Sequence, residues 1–137
     1  MKLNRIMSSK TSCGLVVPCF NEQGKIYKAV SYLSVFCNQN QHVDWFLILV
    51  DDGSTDKSKE EISRSIKDFD RASNNFKVKS IFLGKNQGKG AAIQAGLEFQ
   101  KTDFYCYFDV DLSIDYKKAI PEAIELSKDN DIIMGQR

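Results

Sequence analysis

The stretch Trp45-Phe46-Leu47-Ile48-Leu49-Val50-Asp51-Asp52-Gly53-Ser54-Thr55-Asp56 decides the fold. Its apolar half runs without alternation, the pattern of a strand covered on both faces, and it ends in an acidic, glycine-containing turn. Upstream, residues 13–17 form a shorter run of the same kind, followed by Ile26, Val30, Leu33 and Cys37 at helical spacing. Downstream come Ile62, Ile66 and Phe69 at helical spacing, then a strand at 78–83 and an Ala-rich helix at 90–100. An aromatic strand at 104–108, a helix around 120–126 and a last strand at 131–134 complete the series. Strand and helix in alternation predict right-handed crossovers on a doubly wound, mostly parallel sheet with helices on both faces, an α/β fold. The Ser/Asn-rich residues 71–75 read as a helix-to-strand loop.

The size and charge of the chain narrow the function. Its 137 residues suit one domain, and a net charge of +1 gives no reason to expect a nucleic-acid surface. No apolar run approaches the roughly 20 residues that span a bilayer. The four cysteines, Cys13, Cys19, Cys37 and Cys106, form no CxxC pair and read as reduced core thiols. Residues 1–12 are polar and are expected to be a flexible tail. Residues 13–137 are expected to form the domain, incomplete at its carboxyl end because no helix follows the last strand.

In a sheet of order 3-2-1-4, ligands bind beyond the carboxyl ends of the strands, between the first and fourth. The residues there are Pro18-Cys19-Phe20-Asn21-Glu22, Asp51 to Asp56, and Asp109-Val110-Asp111-Leu112-Ser113. Carboxylates gathered in one cleft repel one another unless a cation compensates, and an all-oxygen donor set suits Mg²⁺ or Mn²⁺ carried with phosphates. Asp68/Asp70 and Asp129/Asp131 share the Asp-x-Asp spacing but sit at helix ends or in loops. Asp109 and Asp111 follow an apolar strand, and extended residues two apart share a side. Ser54 or Thr55 can also serve as a helix N-cap, and Glu22 as a helix-start carboxylate.

Other nucleotide signatures are missing. No Gly-x-Gly-x-x-Gly follows the first strand, and Gly84-Lys85-Asn86-Gln87-Gly88-Lys89-Gly90 falls one residue short of a phosphate loop, with Gly90 where Ser or Thr would bind Mg²⁺. Its glycines allow a tight turn into a helix that Ala91, Ala92 and Ala95 let pack closely on the sheet. Lys89 can face a phosphate or stand solvated. His42 lies before the second strand, at the wrong pole, and Cys19 has no histidine partner, so triad chemistry has no support.

Taken together, Val16-Val17-Pro18-Cys19-Phe20-Asn21-Glu22, Val50 to Asp56, Asn86-Gln87-Gly88-Lys89-Gly90-Ala91 and Asp109-Val110-Asp111 resemble the family-2 inverting nucleotide-sugar glycosyltransferases in order and interval. The likeness covers residues 13–137. With the terminal Ile133-Met134-Gly135-Gln136-Arg137, it points to the branch of dolichyl-phosphate mannose synthases and polyprenyl-phosphate sugar transferases. The resemblance implies a GT-A fold and a UDP- or GDP-sugar donor. Pro18, Phe20, Glu22, Val50 and Asp52 would hold the nucleoside, Asp52 facing the base, with Asp51 beside it. Lys89, Asp109, Val110 and Arg137 would line the donor's sugar and phosphates. Asp109 and Asp111 would be the catalytic pair, Asp111 holding Mg²⁺ or Mn²⁺ with Asp109 next to it. Phe20 stands where many relatives have Tyr, and Ser113 where the dolichyl-phosphate branch has Gln.

A polyprenyl phosphate or a polysaccharide intermediate is the acceptor the resemblance implies, with no nucleic-acid partner. Work in the cytoplasm or at the cytoplasmic face of a membrane, with membrane contact through a part beyond residue 137, follows from the same likeness. So does little sugar transfer by the 137-residue chain alone. A non-catalytic nucleotide-sugar-binding module is the alternative. A nucleotidyltransferase is a weaker one, because that class places a glycine-rich basic loop after the first strand.

Overall fold

The computed structural model describes residues 10–135. Four parallel strands, β1 (Thr11–Cys19), β2 (Val43–Asp51), β3 (Phe76–Phe82) and β4 (Phe104–Tyr107), lie in the order β3-β2-β1-β4. They alternate with helices α1 (Ile26–Gln39), α2 (Ser58–Phe69), α3 (Lys89–Phe99) and α4 (Tyr116–Leu126). The doubly wound sheet expected from the unbroken apolar runs is therefore present.

Alternate residues of each strand serve opposite layers. Leu15 and Val17 of β1 and Leu47 and Leu49 of β2 join Val30 and Leu33 of α1, Ile62 of α2 and Ile120 of α4 in the main core. Val16, Ile48 and Val50 face the other way and meet Ala92, with Ala95 packed alongside. Three helices thus cover one face and α3 alone covers the second. α3 lies very close to the sheet: a Cβ added at Gly96 would stand 2.4 Å from Val16 Cγ1. The alanines expected to permit this approach contribute, but Gly96 is the residue that sets it.

Several boundaries differ from the expectation. Thr11 and Ser12 belong to β1, in register with Val43 and Asp44, because ladder bonds need backbone and not apolar side chains. Of the rest of the expected tail, Lys10 is exposed and outside the strand, and residues 1–9 lie outside the described residues. β4 is half exposed, with Tyr105 at 37% and Tyr107 at 59%, since it is an edge strand with one neighbour. No strand forms at 131–134: Ile132 and Met134 are largely solvent-exposed and have no strand beside them to pair with. Residues 71–75 are more than a connection. The Asn75 side chain is buried and donates to the carbonyls of Cys37 at 3.0 Å and Val43 at 3.1 Å, fastening α1 to the start of β2. Among the described residues, no helix is long and apolar enough to cross a membrane.

Candidate active site

The loops after β1 and β2 interlock and form one wall of the site. Asn21, at φ 51°, donates its N–H to Ser54 Oγ at 2.9 Å and accepts the Thr55 N–H on Oδ1 at 2.8 Å. Glu22 N–H reaches Ser58 Oγ at 2.9 Å. Ser54 is therefore no N-cap; α2 begins after Lys57, and the serine serves the neighbouring loop. The start of α1 has no side-chain cap of its own. Its amides are met from α2, where the Glu61 carboxylate accepts Gly24 N–H at 2.7 Å and Tyr27 N–H at 2.9 Å. A carboxylate on exposed helix-start amides satisfies donors and opposes the helix dipole together.

The two acidic residues ending β2 have separate tasks. Asp51 is fully buried; its Oδ2 accepts Ser54 N–H at 3.1 Å, and among the described residues Oδ1 has no partner. Asp52 is 3% exposed and accepts Gln87 N–H at 2.7 Å and Gly88 N–H at 3.0 Å, one on each oxygen. It thereby clamps the loop that leads into α3. Gly53 makes the approach possible: at φ 74°, an added Cβ would stand 2.4 Å from the Lys85 carbonyl carbon. Sequence reading missed this clamp, although an acidic pair and a glycine-rich loop 35 residues apart were both conspicuous.

A cavity of about 380 Å³ opens past the carboxyl ends of the strands, lined among others by Phe20, Glu22, Asp52, Lys89, Asp109 and Asp111. Pro18 and Cys19 also border it. Residues from three strand ends and the α3 entrance therefore meet where the strand order reverses. Asp109 and Asp111 reach it through a turn and not through an extended strand: β4 stops at Tyr107, and Leu112 N–H bonds to the Asp109 carbonyl at 3.1 Å. Val110, between them, is buried in the main core. Val50 packs under α3 in the second core, and neither Val50 nor Asp51 lines the cavity. Arg137 lies outside the described residues.

Two of the carboxylates in the cleft, Glu22 and Asp109, are in ion pairs. Lys89 Nζ contacts Asp109 Oδ1, and Lys25 Nζ contacts Glu22 Oε2 at 2.9 Å. That bond to Glu22 raises the Lys25 ammonium above its ordinary value, with the charges of Glu22 and Asp111 adding to it. Asp111 Oδ1 accepts Ser113 N–H at 3.0 Å. Burial pushes the Cys19 thiol far up, and the Asp51 charge adds to the effect, so this cysteine is no nucleophile.

Among the described residues, no group of three or more His, Cys, Asp or Glu is placed to hold a metal ion. Asp109 and Asp111 nevertheless offer hard oxygens on one cavity edge. That donor set fits a divalent ion whose other positions come from phosphate and water.

A four-stranded parallel sheet with helices on both faces and a carboxylate-lined cleft at its switch point is the Rossmann-like part of a GT-A fold. The chain belongs to glycosyl transferase family 2, whose pattern it matches over residues 15–137. It is 31% identical over 121 residues to an undecaprenyl-phosphate 4-deoxy-4-formamido-L-arabinose transferase of Aeromonas hydrophila, covering 88% of this chain and 35% of the relative. It is 33% identical to a dolichyl-phosphate beta-glucosyltransferase of Trichomonas vaginalis, over 71% of this chain and 29% of that protein. Among solved structures, the Pyrobaculum calidifontis mannosyltransferase PcManGT, in complex with GDP-Man and Mn²⁺, shares the fold at TM-score 0.71 and 15% identity, covering 89% of this chain and 34% of that one. S. aureus TarS does so at TM-score 0.63 and 21% identity, covering 86% and 32%. The chain thus spans about a third of the length of the curated relatives it matches.

Proposed function

We propose that these residues form the donor-binding part of a glycosyltransferase that passes a sugar from a nucleoside diphosphate to a polyprenyl phosphate. The observation that carries this reading is the convergence of Asp52, Asp109, Asp111 and Lys89 on one cleft past the strand ends. Phe20, 45% exposed at the rim, offers a ring face on which a nucleobase stacks. Asp52 holds the loop that bounds the base side, so its contribution to the nucleoside is made in part through the Gln87 and Gly88 backbone. An arriving diphosphate would compete with Asp109 for the Lys89 ammonium, leaving the Asp109 carboxylate free to hold a cation or the sugar.

A divalent ion, Mg²⁺ or Mn²⁺, held by Asp111 with Asp109, would neutralise charge developing on the leaving diphosphate. The bond from the anomeric carbon to the diphosphate oxygen breaks, its electron pair leaving with that oxygen, while an acceptor oxygen bonds to the opposite face. A hydroxyl acceptor would need a carboxylate base; an ionised phosphate needs none. The acceptors in the names of the two curated relatives above, undecaprenyl phosphate and dolichyl phosphate, support the second. A water-soluble donor and a lipid-borne acceptor meet at a membrane surface, which fits work at the cytoplasmic face.

A thermal-shift panel of UDP, GDP and their sugars, with and without Mn²⁺, tests this. Bound ligand raises the midpoint according to RT ln(1 + [L]/Kd). The expected result is a nucleotide-dependent rise that Mn²⁺ increases and from which Asp111→Asn removes the Mn²⁺ part. No shift with any nucleotide, or an Mn²⁺ response untouched by that substitution, would overturn the reading.

A further inference from the structure

We infer that Lys25 is a second ammonium of the donor cleft, gripping the donor's diphosphate from the side opposite Lys89. The inference rests on the donor-binding reading above and deepens it by naming a further residue that holds the donor.

The two lysines are placed alike. Lys89 opens α3, which covers the second face of the sheet, and Lys25 immediately precedes α1, which covers the first. Both line the cavity past the strand ends, so two positive charges enter it from opposite faces of the sheet. Each is held by a carboxylate of the same cavity, Lys89 by Asp109 and Lys25 by Glu22 at 2.9 Å. Asp111, also in that lining, is in no ion pair among the described residues, and its charge reaches Lys25.

The fold gives this lysine no task. It occupies the N-cap of α1, where Ser, Thr, Asp or Asn would accept a helix amide; a lysine has no acceptor, and its charge is repelled by the positive end of the dipole. Its pair with Glu22 leaves it 59% exposed, and exposed pairs add little to stability.

Charge balance supplies the task. Glu22, Asp52, Asp109 and Asp111 set four carboxylates against the two ammonium groups in the lining. One divalent ion would cancel the difference, and an arriving diphosphate would then bring negative charge that only the lysines can meet. Exposed and singly paired, each can turn to a phosphate oxygen without disturbing its helix. During transfer the carbon–oxygen bond breaks and its electron pair stays on the diphosphate oxygen. Lys25 keeps its proton there and supplies positive charge.

Calorimetric titrations of the 137-residue chain with UDP, GDP, uridine and guanosine, all with Mn²⁺, test this. The parent chain is expected to bind one diphosphate more tightly than its nucleoside. Lys25→Met should weaken that diphosphate about fivefold, the scale of one ammonium–phosphate contact, and leave the nucleoside unchanged. Lys25→Arg keeps the charge and should lose less. In a Lys25→Met, Lys89→Met chain the two losses should multiply, because the groups stand on separate elements. Unchanged diphosphate affinity in Lys25→Met, an equal loss for diphosphate and nucleoside, or equal losses in Lys25→Met and Lys25→Arg would overturn the role of Lys25 and leave the donor reading intact. A parent chain that binds none of the four ligands would overturn the donor reading, and Lys25 with it.

Discussion

Lys89 Nζ stands 2.5 Å from Asp109 Oδ1, tying the first residue of α3 to the turn after β4 across the mouth of the cleft past the strand ends. A cation at a helix N-terminus is repelled by the positive end of the dipole, and an anion beside this lysine offsets that repulsion. Asp109 is that anion here, and a diphosphate would be its replacement.

Lys89→Met separates the two roles. Both side chains are well exposed, at 57% and 41%, and such a pair is worth at most about 1 kcal/mol. The urea midpoint should hardly move. Affinity for UDP or GDP, read by calorimetry, should fall about fivefold, the loss of one ammonium–phosphate contact. An unchanged affinity would return Lys89 to a solvated role.

Asp52→Asn should damage the clamp on the loop entering α3. An asparagine keeps one acceptor oxygen but turns an N–H₂ toward an amide that also donates, so one of two buried charge-assisted bonds becomes a donor–donor contact. The expected loss is about 2–4 kcal/mol in urea unfolding. Amide exchange should accelerate at Gln87 and Gly88 ahead of the sheet. Protection unchanged at those two amides would contradict the clamp.

Gly96→Ala sets two effects against each other. Helix propensity favours the alanine by up to about 1 kcal/mol. The added Cβ would stand 2.4 Å from Val16 Cγ1, and such overpacking costs about 1–3 kcal/mol. Sterics should win, giving a net loss. The same change made in a Val16→Ala background should cost less, and additivity in that double-mutant cycle would refute the contact.

Asp56 should contribute a slope on the acid side. Burial pushes its carboxyl up, but the Ser58 hydroxyl and the N–H groups of Ser58 and Gln23 outweigh that and hold it below the usual range. A depressed folded value means that its stabilisation is complete above the unfolded value near 4 and is lost as pH falls through the folded one. Thermal midpoints recorded from about pH 4 down to 2 should decline less steeply for Asp56→Asn than for the parent chain. Identical slopes would exclude the contribution.

The sheet was legible because unbroken apolar runs such as Trp45 to Val50 leave few alternatives, and the 3-2-1-4 order then located the cleft. Asp52, Asp109 and Asp111 were readable as strand-end carboxylates converging there. What escaped were bonds between stretches far apart in the chain. Glu61 capping α1, Asn75 stapling α1 to β2 and Asp52 gripping Gly88 each join residues more than 30 positions apart, and no local period encodes them. The turn at Asp109 to Leu112 escaped for another reason: Leu112 adopts a positive φ that its residue type disfavours. Strand 131–134 was read from apolar residues alone, but a strand exists only beside a partner.

The bare backbone at Gly96 acts at a distance. Seven residues separate it from Lys89, about 10 Å along a rigid helix. One methyl group beneath α3 would lift the whole rod and carry the ammonium at its head away from the cleft. The height of α3 over the sheet, and with it the position of the Lys89 backbone at the cleft, would thus shift with a single methyl group at Gly96, a change that touches none of the cleft's lining residues.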